Sequence, residues 1–353
     1  NRRKGGMYMY LHGGDIYRNN VKYDFSVNLN PMGMPKSCID AGCRGVSLSG
    51  AYPDHDCEKL KYEIEKNKGI KSEDIIVGNG AAELIYAICY GIKPKKALIA
   101  MPTFQEYERA VAAWGGSVRY FDLKEENNFQ LDEDFINKIT DDTDIVFLCN
   151  PNNPTGNLTE RNLIEKIALK CEMTGTYLCI DECFMPFCER EDEISMIKEY
   201  GKFPHMIIIR AFTKIYAMAG LRLGYAIVPD RKARESIRSK IQPWNVSIPA
   251  QMAGVAALNE KGYIEKTREI IKEEKEYLIS ELSKGLAEKI YASEANYIFF
   301  KGREDLKERF IEKGILIRDC SNFENLKKGF FRICVKNHNE NVEFIKAFRE
   351  ICK

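Results

Sequence analysis

An α/β fold is expected for this chain: a large domain built on a mostly parallel sheet sandwiched by helices, followed by a smaller α+β domain. Two patterns predict it. Through the first two thirds of the sequence, short β-rich apolar runs alternate with amphipathic helical stretches, and past Arg231 the chain turns to long charged helices broken by a few strand-like pieces. Strand–helix alternation is what a parallel sheet requires, because each crossover must carry the chain back over one face. With 353 residues, 44% hydrophobic and 30% charged, there is material for two lobes and a sizeable core. The expected organisation is an N-terminal arm over 1–40 joining the small domain, a large domain over 41–240 and a small domain over 241–353.

The elements follow in order. Ile75–Val77 reads as a strand, and Gly78-Asn79-Gly80 turns it into the helical stretch Ala81–Tyr90. Ala97–Ala100, Ser117–Phe121, Ile145–Cys149, Tyr177–Ile180, Met206–Ile209 and Tyr225–Val228 are further β-rich runs, with helical patterns over Glu106–Ala113 and Arg161–Met173. Beyond them, Gly262–Leu286 spaces Ile264, Ile271, Tyr277, Leu278 and Leu282 among Glu and Lys, as a surface helix does. Asn296–Phe300, Ile315–Ile317 and Phe330–Val335 are strand-like, and Asp305–Lys313 is helical. Strand order is not readable from such patterns.

Composition narrows the function. Lysine and arginine total 53 against 52 acidic residues, a net charge of +1, so nothing marks a nucleic-acid or anionic-membrane surface. The apolar runs fall far short of the ~18 residues of a membrane span. The start Asn1-Arg2-Arg3-Lys4-Gly5-Gly6 is basic, but no apolar core follows it, so no signal peptide is expected. Twelve cysteines contain no Cys-x-x-Cys pair, and four histidines stand at no zinc-ligand spacing. Reduced thiols, a cytoplasmic location and no metal are expected.

The chemistry concentrates at strand ends. After Met206–Ile209 comes Arg210-Ala211-Phe212-Thr213-Lys214, with Gly220-Leu221-Arg222 eight residues beyond the lysine. An amine held in a dry site can form a Schiff base, and an arginine fork can hold a phosphate dianion; taken alone, Lys214 reads as an ordinary loop lysine. Asn150-Pro151-Asn152-Asn153-Pro154 follows Ile145–Cys149, a rigid turn at the strand edge where open α/β sheets bind ligands. Asp181 ends Tyr177–Ile180 at the same edge; it can hold a protonated ring nitrogen or simply cap a helix. Gly78-Asn79-Gly80-Ala81-Ala82 offers free backbone N–H groups at a helix start, a phosphate site.

Together these pieces resemble the class I/II aminotransferases, the fold-type I enzymes that use pyridoxal 5′-phosphate, and the likeness runs over nearly the whole chain. The resemblance implies an aspartate-aminotransferase-like fold. It makes Lys214 the cofactor-bearing lysine and the proton carrier at the substrate's α-carbon. Asp181 would pair with the pyridine nitrogen, Asn153 with the 3-oxygen, and Phe104 would stack on the ring. Gly80, Ala81, Ala82, Thr213 and Arg222 would hold the cofactor phosphate. Tyr52, in Ala51-Tyr52-Pro53-Asp54, would reach the phosphate in a neighbouring subunit, implying a homodimer with shared sites.

Within the family the likeness narrows to the L-threonine O-3-phosphate decarboxylases of cobalamin biosynthesis. It rests on His12-Gly13-Gly14-Asp15-Ile16, Asp24–Pro35, Gln242–Val246, Ile317–Phe323 and on Phe184 where most relatives carry tyrosine. By position, His12, Gly13, Asn28, Asn153, Arg318 and Arg332 would bind the phosphorylated amino acid; His12 also fits a plain loop residue and Arg318 a surface ion pair. Ala81-Ala82 and Ala211 lack hydroxyl or carboxylate side chains that relatives use, and each lost hydrogen bond to a dianion is worth ~1.5–3 kcal/mol. Weaker cofactor retention is therefore expected, and Phe184 would alter how the lysine–cofactor linkage titrates. Two reactions fit. If the arginines and His12 grip a substrate phosphate, CO₂ can leave; if an arginine grips the carboxylate in the ring plane, transamination follows, histidinol phosphate being the alternative substrate. A non-catalytic domain fused to a DNA-binding head is disfavoured by the near-zero net charge and the short stretch before Tyr52.

Overall fold

The computed structural model describes residues 12–353. The basic start Asn1–Gly6 lies outside the described residues. The chain opens with β1 (Tyr23–Asp24), α1 (Lys36–Ser47) and α2 (Glu58–Lys68). It then builds β2 (Ile75–Gly78), α3 (Gly80–Ile92), β3 (Lys96–Met101), α4 (Glu106–Trp114), β4 (Ser117–Asp122), β5 (Ile145–Cys149), α5 (Arg161–Thr174) and β6 (Tyr177–Asp181). Next come α6 (Glu191–Ile194), β7 (Met206–Ala211), α7 (Phe212–Ile215), β8 (Gly224–Ile227) and α8 (Arg231–Arg238). The remainder is α9 (Ile248–Leu258), α10 (Tyr263–Leu282), β9 (Lys289–Tyr291), β10 (Tyr297–Lys301), α11 (Leu306–Glu312), β11 (Ile315–Leu316), β12 (Arg318–Asp319), β13 (Phe330–Cys334) and α12 (His338–Ile351).

Seven strands form the main sheet in the order β2-β8-β7-β6-β5-β3-β4. β7, β6, β5, β3 and β4 are mutually parallel, and only β8 runs against its neighbours. The strands alternate their side chains between two apolar clusters, one per face. Val146 and Leu148 join one cluster with Leu178, Ile180 and Ile208, while Ile145, Phe147 and Cys149 join the other with Cys179, Ile207 and Ile209. Burial on both faces is why these strands are continuous apolar runs.

The direction of β8 matters for the site. Gly224 at its start lies opposite both Gly78 and Ala211, the last residues of β2 and β7. Arg222, two residues earlier, is thereby returned to the edge where the other strands end.

The C-terminal sheet is antiparallel, in the order β12-β13-β10-β9. β1 pairs in parallel with β11, Tyr23 opposite Ile315, and Phe25 buries with Phe310, Phe331 and Phe344. The chain start is thus tied to the C-terminal region. α9 packs on α1 and α2, burying Ala250, Ala253 and Ala257 with Leu60, and the same cluster reaches Tyr291 and Phe299. Local chemistry ends the helices where the chain says: Asp230, Ser247 and Asn337 cap α8, α9 and α12 through their side chains, and Gly69, Gly115 and Gly175 stop α2, α4 and α5 in the left-handed region. All twelve cysteines are free thiols and ten are buried. No helix among the described residues is long and apolar enough to cross a membrane.

Candidate active site

A cavity of about 520 Å³ opens at the carboxyl edge of the main sheet, between it and the C-terminal sheet. Its lining brings together His12, Gly13, Asn28, Ala81, Ala82, Phe104, Asn153, Asp181, Thr213, Lys214, Arg222, Arg318 and Arg332. Two sequence-derived candidates do not line it. Gly80 stands behind, with φ +80° and so close to Arg222 that a Cβ would meet the guanidinium 2.4 Å away; only glycine leaves that room. Tyr52 lies elsewhere, 77% exposed and stacked on Trp244 at 4.5 Å between ring centroids.

Lys214 sits on the single turn α7 directly after β7. Its ammonium forms no ion pair among the described residues. Removal from water, with the positive charges of Arg332 and Arg222 nearby, lowers its pKa from 10.5 to about 8. At pH 7.4 about one molecule in five then carries a neutral amine, against about one in a thousand for a free lysine. The folded pKa lies below the unfolded one, so the protonated lysine opposes folding fully below about pH 8, and this is relieved as pH rises towards 10.5. Lys214→Met is accordingly expected to stabilise the cofactor-free protein at pH 7 by roughly 1–3 kcal/mol. The gain should shrink between pH 8 and 10.5 in denaturant titrations; a gain independent of pH would contradict it.

Asp181 is held on two sides. The Tyr107 hydroxyl donates to its Oδ2 at 2.7 Å and the Cys183 N–H to its Oδ1 at 3.0 Å. Tyr107 is fully buried on α4 and stacked on Phe147. Behind the strand ends Arg210 is buried and fully matched, with Glu182 at 2.6 Å, Glu191 at 2.7 Å and the Ser195 hydroxyl at 2.8 Å. That network fixes the ends of β6 and β7, hence Asp181 and Lys214, without adding net positive charge to the cavity.

Arg332 and Arg318 differ from Arg210: neither has a carboxylate partner among the described residues. Arg332, on β13, donates to Asn153 Oδ1 and, at 2.8 Å, to the Ser26 carbonyl, while its buried Nε has no partner among the described residues. A guanidinium can only donate, so Asn153 is fixed with its oxygen towards Arg332 and its NH₂ left without a protein acceptor among the described residues. Asn28 Oδ1 is likewise buried and unpartnered among the described residues. Burial and the charge of Arg332 bring Arg318 down to about 10. His12 pairs with Glu106 at 2.8 Å, and Glu106 also accepts from Arg109 at 2.7 Å. Gly13 lies against the Ser26 carbonyl, 2.4 Å from where a Cβ would be, and the Gly14 N–H donates to the Ser26 hydroxyl at 2.7 Å.

The set fits a phosphorylated pyridine aldehyde. It offers an amine of lowered basicity, a fixed carboxylate for a ring N–H, an unspent amide donor on Asn153, and Arg222 beside the amino end of α3 for a phosphate. Tyr107, Glu106 and Gln105 line the same cavity and carry no sequence signal of their own, and Ser26 lines it from within the Asp24–Pro35 run. Phe104, three residues before Tyr107, was the only hint of that helix's role.

Comparison with known proteins places the chain among relatives. Residues 22–348 match the family described as aminotransferase class I and II. The chain is 34% identical to the threonine-phosphate decarboxylase of Salmonella typhimurium, covering 93% of this chain and 90% of that one. It is 33% identical to histidinol-phosphate aminotransferase 2 of Archaeoglobus fulgidus, over 93% and 92%. Among solved structures, the histidinol-phosphate aminotransferase of Clostridium acetobutylicum superposes with a TM-score of 0.87 at 32% identity, over 93% and 98%.

Proposed function

The chain belongs to the class I and II aminotransferases, enzymes dependent on pyridoxal phosphate, and from that membership we propose that it decarboxylates L-threonine O-3-phosphate. The observation that carries the reading is the pair Arg318 and Arg332, two guanidiniums facing one cavity, neither ion-paired to a carboxylate among the described residues. A substrate phosphate dianion answers that charge.

Bound at Lys214, pyridoxal phosphate supplies an electron-withdrawing ring that weakens the bonds at the substrate's α-carbon. Asp181 would keep the ring nitrogen protonated, Phe104 would pack on the ring, and Asn153 would donate its NH₂ to the 3-oxygen. Arg222, Ala81, Ala82 and Thr213 would hold the cofactor phosphate, Gly80 leaving room for the Arg222 guanidinium. Arg318, Arg332 and His12 take the substrate phosphate, with Asn28 and Gly13 shaping the pocket around it. The carboxylate, gripped by none of them, would be left free to depart as CO₂. Lys214 then delivers a proton to the carbon it left.

Ala211 lines the cavity opposite Gly224, and on this reading a hydroxyl there would add a contact to the cofactor phosphate. Ala211→Ser is expected to tighten pyridoxal phosphate binding about 3- to 10-fold, one neutral hydrogen bond's worth, measured by titrating the cofactor-free protein; unchanged or weaker binding would contradict the assignment. The enzyme acts as a cytoplasmic homodimer on this reading, Tyr52 reaching the phosphate of the second subunit; its exposure, with Val46 and Leu48 exposed nearby in sequence, supports this.

Supplying the holoenzyme with L-threonine O-3-phosphate should release CO₂ and leave 1-aminopropan-2-yl phosphate. Absence of CO₂, together with 2-oxoglutarate-dependent turnover of histidinol phosphate, would overturn the proposal.

A further inference from the structure

We propose that Asn322 and Gln105 form a latch that positions Arg318 for the substrate's phosphate; this rests on the phosphate reading of Arg318 above. Arg318 Nη2 donates to Asn322 Oδ1 at 2.8 Å. Asn322 Nδ2 donates to Gln105 Oε1 at 3.0 Å, and Gln105 Nε2 donates back to the Asn322 carbonyl. Gln105 caps α4 beside the main sheet, whereas Asn322 lies in the loop between β12 and β13. The pair therefore joins the two walls of the cavity.

The chain of bonds has one direction. A guanidinium has no acceptor, so the amide oxygen of Asn322 must face Arg318 and its NH₂ must face Gln105. That turns Gln105's oxygen inward and leaves its NH₂ for the backbone carbonyl. Asn325 adds a second stitch, donating to the carbonyls of Leu123 at 3.0 Å and Met101 at 3.3 Å. Phe323 lies beneath the guanidinium, 5.0 Å from ring centroid to its central carbon.

The chemistry explains why an amide serves here. Arg318 and Arg332 repel one another, so Arg318 needs an anchor to stay in the cavity. A carboxylate would anchor it and also consume its charge, as Glu182 does for Arg210. A neutral amide holds the fork and leaves the positive charge for a dianion.

The test uses the holoenzyme with L-threonine O-3-phosphate as substrate and inorganic phosphate as competitor. Asn322→Ala is expected to raise KM and the inhibition constant of phosphate together by about tenfold, roughly one hydrogen bond to a charged group, with kcat changed far less. Gln105→Ala reads the same latch from the opposite wall, and should act in the same direction if Asn322→Ala fails to fold. In an Arg318→Ala background neither change should raise KM further. Full additivity with Arg318→Ala, or an unchanged KM in Asn322→Ala while Arg318→Ala raises it, removes the latch alone. An unchanged KM in Arg318→Ala removes the phosphate reading, and the latch with it.

Discussion

Lys214→Ala is expected to lower kcat by at least ~10²–10⁴-fold, the range that a positioned proton carrier contributes, and the true loss should be larger because the covalent anchor goes too. Arg222, Asp181 and Asn153 remain in place, so the variant should still take up cofactor, now without a bond to protein. Borohydride reduction separates these statements. In the parent it should fix the cofactor to the peptide containing residue 214, and in the variant to none. Turnover within tenfold of the parent, or a label carried by another lysine, would contradict the assignment.

Arg332→Ala is expected to cut kcat/KM by roughly 30- to 5,000-fold, which corresponds to the ~2–5 kcal/mol of a buried charged hydrogen-bonding partner. The side chain is buried, and its loss strands Asn153 Oδ1 and the Ser26 carbonyl as well as removing a cation. Arg332→Lys should recover little of this, since one ammonium cannot serve Asn153, Ser26 and a substrate oxygen in the geometry of a planar fork. A second readout is independent of the substrate. Arg332's charge helps depress Lys214, so in Arg332→Ala the pH at which the cofactor-free protein captures pyridoxal phosphate should move upward. Capture with an unmoved pH dependence would sever the coupling between the two side chains.

The parallel core is plain in the sequence because strands buried on both faces leave continuous apolar runs: Ile145–Cys149 matches β5, and Met206–Ile209 falls two residues short of β7. The direction of β8 is not legible, since Gly224–Ile227 is just as apolar as a parallel strand would be. α9 hides for a related reason, its Ile-Pro-Ala-Gln-Met-Ala-Gly-Val-Ala-Ala-Leu having no charged face to set a period. α12 does carry readable signals, an Asn337 cap with Glu340 in the first turn and Phe344, Phe348 and Ile351 on one face.

Most of the site is legible too, because each of Asn153, Asp181, Lys214 and Arg222 sits in a local motif next to a strand terminus. What escapes is the set of partners that hold those residues. Tyr107 meets Asp181 across 74 positions and Gln105 meets Asn322 across 217, and neither pairing leaves a local trace. Tyr107 in particular occupies an apolar position of α4 and looks like core until its hydroxyl is seen on Asp181.

The central claim is that the carboxylate, and not the α-hydrogen, leaves the substrate. The most direct measurement is a reaction of the holoenzyme with L-threonine O-3-phosphate deuterated at the α-carbon, followed by mass analysis of the organic product. Release of CO₂ with an amine phosphate that retains the deuterium and gains one solvent proton is the expected result. Loss of the deuterium with formation of a 2-oxo acid and no CO₂ would contradict it.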